Sequence, residues 1–183
     1  MFENFQRWAE LQKLRRRLRR EPTEPISFSR AVAGVRQILI CVPWSYSEFR
    51  VARYVLKFLA RDDTEHRITF FTPEAYKDII PKRAQDRIIS INGTSRDDLG
   101  RFVESIEDSV LDKPYQAAVD CNVNFDFGIS LLCRKSGAPL RIGFASDYAD
   151  IFYNIEIQKP EDKFLLEGAY RSIQRILDLD TKS

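Results

Sequence analysis

Hydrophobic and polar positions divide the chain into one isolated amphipathic segment followed by a regular alternation of short apolar runs and helical stripes. In the first segment Phe2, Phe5, Trp8, Leu11, Leu14 and Leu18 recur every three or four residues, the spacing that aligns side chains along one face of a helix. Arginine crowds the opposite face, with Arg15, Arg16, Arg17, Arg19 and Arg20 the densest part. Pro22 and Pro25 stop the helix. Residues 1–21 therefore read as a basic amphipathic helix, 22–34 as a linker, 35–160 as the main domain, and 161–183 as a C-terminal helix and tail.

From Val35 onward the period alternates. Arg36–Val42 is a largely apolar run, as expected of a strand covered on both faces. A helix follows from about Ser47 to Arg61, with Ala52, Val55, Leu56 and Leu59 facing inward. His66–Thr72, Arg87–Ile91, Tyr115–Cys121, Leu140–Ala145 and Tyr153–Ile157 read as further strands. Between them lie a short helix from Pro73 to about Ile80 and a helix capped by Thr94 or Ser95, carrying Leu99, Phe102, Val103, Ile106 and Val110. Another helix is capped by Asp126 and ended by Gly137. The last helix opens at Pro160 and Glu161 and turns Leu165, Ala169, Ile173, Ile176 and Leu177 to one side. Strands alternating with helices at this spacing predict an α/β domain: one doubly wound, mainly parallel sheet with right-handed crossovers and flanking helices.

At 183 residues the chain has the length of a single domain, and a hydrophobic share of 44% supplies a core. No apolar run is long enough to span a membrane and no signal-peptide core precedes the domain, so a cytoplasmic location is expected. Three cysteines, none close together in sequence, suit reduced core thiols. A single histidine leaves little material for a metal centre, and no glycine-rich phosphate loop can be assembled, so neither a metal nor a cofactor is expected. The net charge of +2 conceals an asymmetry: residues 1–20 carry +5 and the remainder −3. The basic helix is thus an attachment element. It packs on its own domain or a partner chain, or it lies on an anionic membrane surface. A nucleic-acid contact has the weakest support, since no aromatic reading motif accompanies the arginines.

Chemistry in such a sheet belongs beyond the carboxyl ends of the strands. That places Pro43–Glu48, Asp120–Asp126 and Ala145–Asp150 at the crevice. Glu48, in a first helical turn, is the candidate general base; the competing reading is a capping box in which Ser45 caps and Glu48 reaches back. Asp120, Asn122, Asn124 and Asp126 offer oxygen acceptors for hydroxyls or a cation, although turn formation and capping account for Asn124 and Asp126. Asp120 ends a buried strand and needs a partner, for which Arg141 is a candidate. Cys41, Cys121 and Cys133 fit no redox or metal spacing, and His66 has no nucleophile within reach of its sequence neighbourhood.

Tyr115-Gln116-Ala117-Ala118-Val119-Asp120, followed by a helix and Ser136-Gly137-Ala138-Pro139-Leu140-Arg141-Ile142-Gly143-Phe144, resembles the YDLVIDLQG…SGAPxRIGF pattern of family 9 glycosyltransferases, the ADP-heptose:lipopolysaccharide heptosyltransferases. The likeness covers roughly residues 35–160. It implies the N-terminal, acceptor-side half of a GT-B fold, in which two Rossmann-like domains face each other and a catalytic aspartate follows the first strand. Here that glycine–aspartate pair corresponds to Ser47-Glu48, and Trp44 and Tyr46 replace small or aliphatic residues. Ending at Ser183, the chain is expected to lack the donor-binding half. The expectation is a non-catalytic binding or assembly subunit of a larger complex, attached through its N-terminal helix. The alternative is the acceptor half of a split transferase, with Glu48 as base and Ser45, Ser47, Asp120, Asn122 and Asn124 contacting the acceptor. The resemblance also implies peripheral association with the inner face of a membrane as a weaker alternative.

Overall fold

The computed structural model describes residues 2–18, 35–59, 66–80, 86–92, 95–160 and 165–177. The expected linker, Arg19, Arg20, Thr94 and Glu161 lie outside the described residues, as do the side chains of Phe2, Phe5, Leu18, Val55, Leu56 and Leu59. Six strands form one sheet in the order β3-β2-β1-β4-β5-β6, with every pairing parallel. They are β1 (Gln37–Cys41), β2 (Arg67–Pro73), β3 (Arg87–Ile91), β4 (Ala117–Asp120), β5 (Leu140–Phe144) and β6 (Ile155–Ile157). The helices are α1 (Phe2–Leu18), α2 (Tyr46–Leu59), α3 (Glu104–Leu111), α4 (Phe127–Lys135), α5 (Ala149–Phe152) and α6 (Leu166–Leu177).

The strand pleat sends alternate residues to two cores. Ile38 and Ile40 of β1 join Phe49 and Ala52 of α2 and Tyr170 and Ile173 of α6. Leu39 and Cys41 face the other way, against Val110 of α3, Leu132 and Cys133 of α4 and Phe152 of α5. Both faces are covered, which is why the strands read as continuous apolar runs. All three cysteines are buried free thiols, and the fold brings Cys41 Sγ within 3.8 Å of Cys133 Sγ.

The stretch Ser136–Phe144 is a structural joint between α4 and the sheet. Gly137 adopts φ 68° after α4, the left-handed conformation that ends a helix without a Cβ penalty. Ala138 is fully buried. Arg141 donates to the Phe152 carbonyl at 2.9 Å and the Ala138 carbonyl at 2.7 Å, tying β5 to α5 and to the turn.

Three expectations about the elements require correction. The helix expected from residue 95 starts only at Glu104. Before it, Asp97 Oδ1 accepts from the N–H groups of Leu99 and Arg101, Gly100 sits at φ 81°, and Arg96 bridges Phe102. An aspartate that satisfies two backbone donors outcompetes the helix locally. Residues after β2 form one 3-10 turn, Glu74–Tyr76, in place of a helix. Leu165 is 61% exposed, and the buried face of α6 is Leu166, Tyr170, Ile173 and Leu177.

The basic helix packs on its own domain. Leu11 is buried and Leu14 half-buried against the core under α5, and Arg15 reaches Asp150 at 2.9 Å. Trp8 remains 49% exposed, and Arg16 and Arg17 lie on the exposed side. No described helix is long and apolar enough to cross a membrane.

Candidate functional site at the switch point

Strand order reverses between β1 and β4, so a crevice opens beyond their carboxyl ends. The loop Val42–Ser45 with the first turn of α2 forms one wall, and Cys121–Asp126 forms the other. The sequence-predicted residues Ser45, Ser47, Glu48, Asp120, Asn122 and Asn124 meet here. Trp44 N–H donates to Asn122 Oδ1 at 2.9 Å, locking the two walls together.

Glu48 does not close the capping box. Its carboxylate turns across the crevice, accepting from the Val123 N–H at 3.2 Å and facing Asn124 Nδ2 at 3.5 Å. Lys159 Nζ holds the same amide from its oxygen side at 2.8 Å. Ser45 and Ser47 hydroxyls pair with each other at 2.9 Å. Glu48 thus braces α2 against the β4–α4 loop.

Asp120 lies deeper and is 2% exposed. Arg141 is not its partner: in the parallel register Arg141 stands opposite Ala118, two residues short of the strand end. Asp120 Oδ1 accepts from the N–H and Nδ2 of Asn122, each at 2.8 Å. Its Oδ2 is 2.5 Å from Tyr153 Oη, which is 2.8 Å from Ser130 Oγ. Ser130 in turn donates to the Asp126 carbonyl at 2.7 Å. Tyr153 donates to the ionised carboxylate; two hydroxyls supply only two protons, so a proton on Asp120 is what satisfies all three contacts of this chain at once. Burial favours that protonated form, pushing Asp120 up to about 7 against the opposing pull of the Tyr153 and Asn122 hydrogen bonds. Tyr153 is held well above the ordinary phenol range, chiefly by burial and then by Asp120.

Tyr153 approaches so closely because position 143 has no side chain. A Cβ there would lie 2.4 Å from the tyrosine ring. The glycine of the RIGF stretch therefore serves the buried network.

Asp126 leaves the cluster. It caps α4 by accepting from Ile129 N–H at 3.0 Å and pairs with Arg96 at 2.9 Å. The Arg96 guanidinium lies 4.3 Å from the Trp44 ring centre and 4.5 Å from that of Phe102. Its Nε and Nη2, and Trp44 Nε1, are buried donors without an acceptor among the described residues. Arg96, Tyr153 and Ser130 escaped sequence reading: Arg96 because its segment reads as helix, and the other two because their contacts span 33 and 23 residues. Tyr46 is 62% exposed, with its ring 6.2 Å from that of Tyr76. Among the described residues no group of three or more His, Cys, Asp and Glu side chains is arranged to hold a metal ion.

Sheet order, switch-point crevice and two-sided helical cover define a Rossmann-like α/β domain with a glycosyltransferase-like fold. Its solved structural neighbours include heptosyltransferases and a family 9 glycosyltransferase. One is Escherichia coli heptosyltransferase WaaC with ADP, 14% identical, TM-score 0.57, covering 76% of this chain and 46% of that one. A glycosyltransferase of family 9 from Veillonella parvula gives a TM-score of 0.60 at 14% identity, over 78% of this chain and 41% of its own. E. coli ADP-heptose lps heptosyltransferase II gives 0.53 at 17%, over 75% and 40%. The chain thus spans under half the length of these enzymes, in keeping with the resemblance to their N-terminal half. No family model and no curated protein matches it.

Proposed function

We propose that the protein is a non-catalytic binding or assembly module built on the acceptor-side half of a family 9 glycosyltransferase fold. The observation that carries this reading is the employment of Glu48. The carboxylate at the position of the family's catalytic aspartate accepts from Val123 N–H and faces the Asn124 amide, which Lys159 anchors from behind. In that role its carboxylate oxygens are taken up by the crevice wall, which draws them away from a substrate hydroxyl. Asp120, the other carboxyl, is buried, and burial pushes it up to about 7. The partner is a protein in a larger assembly, and the exposed face of α1 with Trp8, Arg16 and Arg17 serves as attachment surface.

The alternative is the acceptor-binding half of a transferase whose donor half completes the cleft. It is favoured by the orphan donors of Arg96 and Trp44 beside the crevice, and by Glu48 being half-exposed at the start of α2. The test is glycosyl transfer from ADP-heptose to a lipopolysaccharide acceptor, with wild type and Glu48→Gln, each alone and mixed with a donor-binding half. The module reading expects no transfer in any mixture and identical association of both proteins. Transfer by wild type that Glu48→Gln abolishes contradicts it. Flotation with anionic vesicles decides the membrane alternative, since binding through α1 would fall steeply with salt.

A further inference from the structure

At the opposite end of the sheet from the switch point, a cleft of about 180 Å³ is lined by Gln37, Arg67, Ile68, Thr69, Arg87 and Lys113. The strand register explains how the polar side chains converge. Gln37 is paired with Arg67, and Thr69 with Arg87. Paired residues, and residues two apart, share a face, so all four project to the side where Leu39 and Cys41 meet α3 and α4. Lys113 enters from the turn that follows α3.

Three cations therefore surround one concavity in a part of the chain whose net charge is −3, and no carboxylate lines it among the described residues. Arg87 is half-neutralised by Asp112 at 2.7 Å. Asp86 is buried and engaged with the Ile68 N–H at 3.2 Å. Among the described residues neither the Arg67 guanidinium nor the Lys113 ammonium has a carboxylate partner. Arginine presents a planar fork to an oxyanion and lysine a point charge, and Gln37 adds a neutral donor.

We propose that this cleft binds a phosphate-class oxyanion, either free phosphate or the phosphate of a small phosphomonoester. The site is separate from the crevice and independent of the function proposed for it. The α3 C-terminal carbonyls point toward the same end of the domain and oppose an anion. With Asp112 they limit the affinity to a dissociation constant of about a millimolar.

The test follows thermal unfolding of the full chain in inorganic phosphate, in glycerol 3-phosphate and in chloride at matched ionic strength. A saturable rise in midpoint with either phosphate compound, and none with chloride, is expected. The stronger of the two identifies the source, free anion or ester. The double variant Arg67→Gln/Lys113→Gln, whose replaced side chains are exposed, should keep the wild-type circular dichroism while its apparent affinity drops at least about tenfold, and Arg67→Lys should retain part of it. An equal rise in chloride, no rise at all, or a rise undiminished in the double variant overturns the proposal; the last two outcomes would mean that these cations only balance Asp112 and the end of α3.

Discussion

Replacing Asp120 by asparagine should abolish a pH dependence of stability that this one carboxyl creates. In the folded protein the Ser130–Tyr153–Asp120 chain has a place for a proton on Asp120, and burial raises the group from an ordinary 3.8 to about 7. The folded state then binds more protons than the unfolded one throughout that interval. Stability from this source is fully present below the unfolded value and is lost as pH rises through the folded one. At about 1.4 kcal/mol per tenfold preference, the whole loss is about 4 kcal/mol, of which about 3 kcal/mol falls between roughly pH 5 and pH 8. Asparagine reproduces the protonated pattern: its oxygen accepts from Asn122 and its amide donates to Tyr153, whose hydroxyl continues to Ser130. Urea unfolding of both proteins across this range reads the difference, and other titrating groups cancel between them. Wild type should lose stability relative to Asp120→Asn as pH rises. Parallel profiles would refute both the proton count and the role of burial.

Other substitutions test the remaining contacts. Tyr153→Phe removes the hydroxyl shared by Asp120 and Ser130, and should cost about 1–3 kcal/mol in urea unfolding. Gly143→Ala places a Cβ against the Tyr153 ring, so a loss of about 1–3 kcal/mol is expected, with a change in tyrosine near-ultraviolet dichroism. Glu48→Ala removes the brace to Val123 and should destabilise by about 1 kcal/mol, whereas Glu48→Gln, which keeps an acceptor, should cost less. Leu11→Ala empties a buried position and should expose α1 to limited proteolysis, while Arg15→Ala, removing a largely solvated pair, should cost less than about 1 kcal/mol.

The fold was legible because strands covered on both faces leave unbroken apolar runs. Leu39, Ile40 and Cys41 are all fully buried, and so are Ala117, Ala118 and Val119. The caps were legible for a local reason: Asp126 and Gly137 act on backbone groups within a few residues of themselves. Residues 95–103 misled, because apolar residues at helical spacing do not reveal that Asp97 will hold two backbone amides in a loop. Strand order locates the crevice, but its wiring was not readable. Glu48 meets Val123 across 75 residues and Tyr153 meets Asp120 across 33. Neither distance leaves a local pattern. The SGAPLRIGF stretch was the most recognisable segment, and its glycines turn out to serve a helix end and a buried ring.

The central claim is that the crevice belongs to a binding module and not to half of a transferase. Cross-linked purification of the full chain from its source cells, at moderate salt and with stoichiometry determined, tests it most directly. The account predicts a defined assembly that contains no nucleotide-sugar-binding chain and transfers no sugar. Recovery of a donor-binding chain in equal amount, with transfer activity that Glu48→Gln removes, would contradict it.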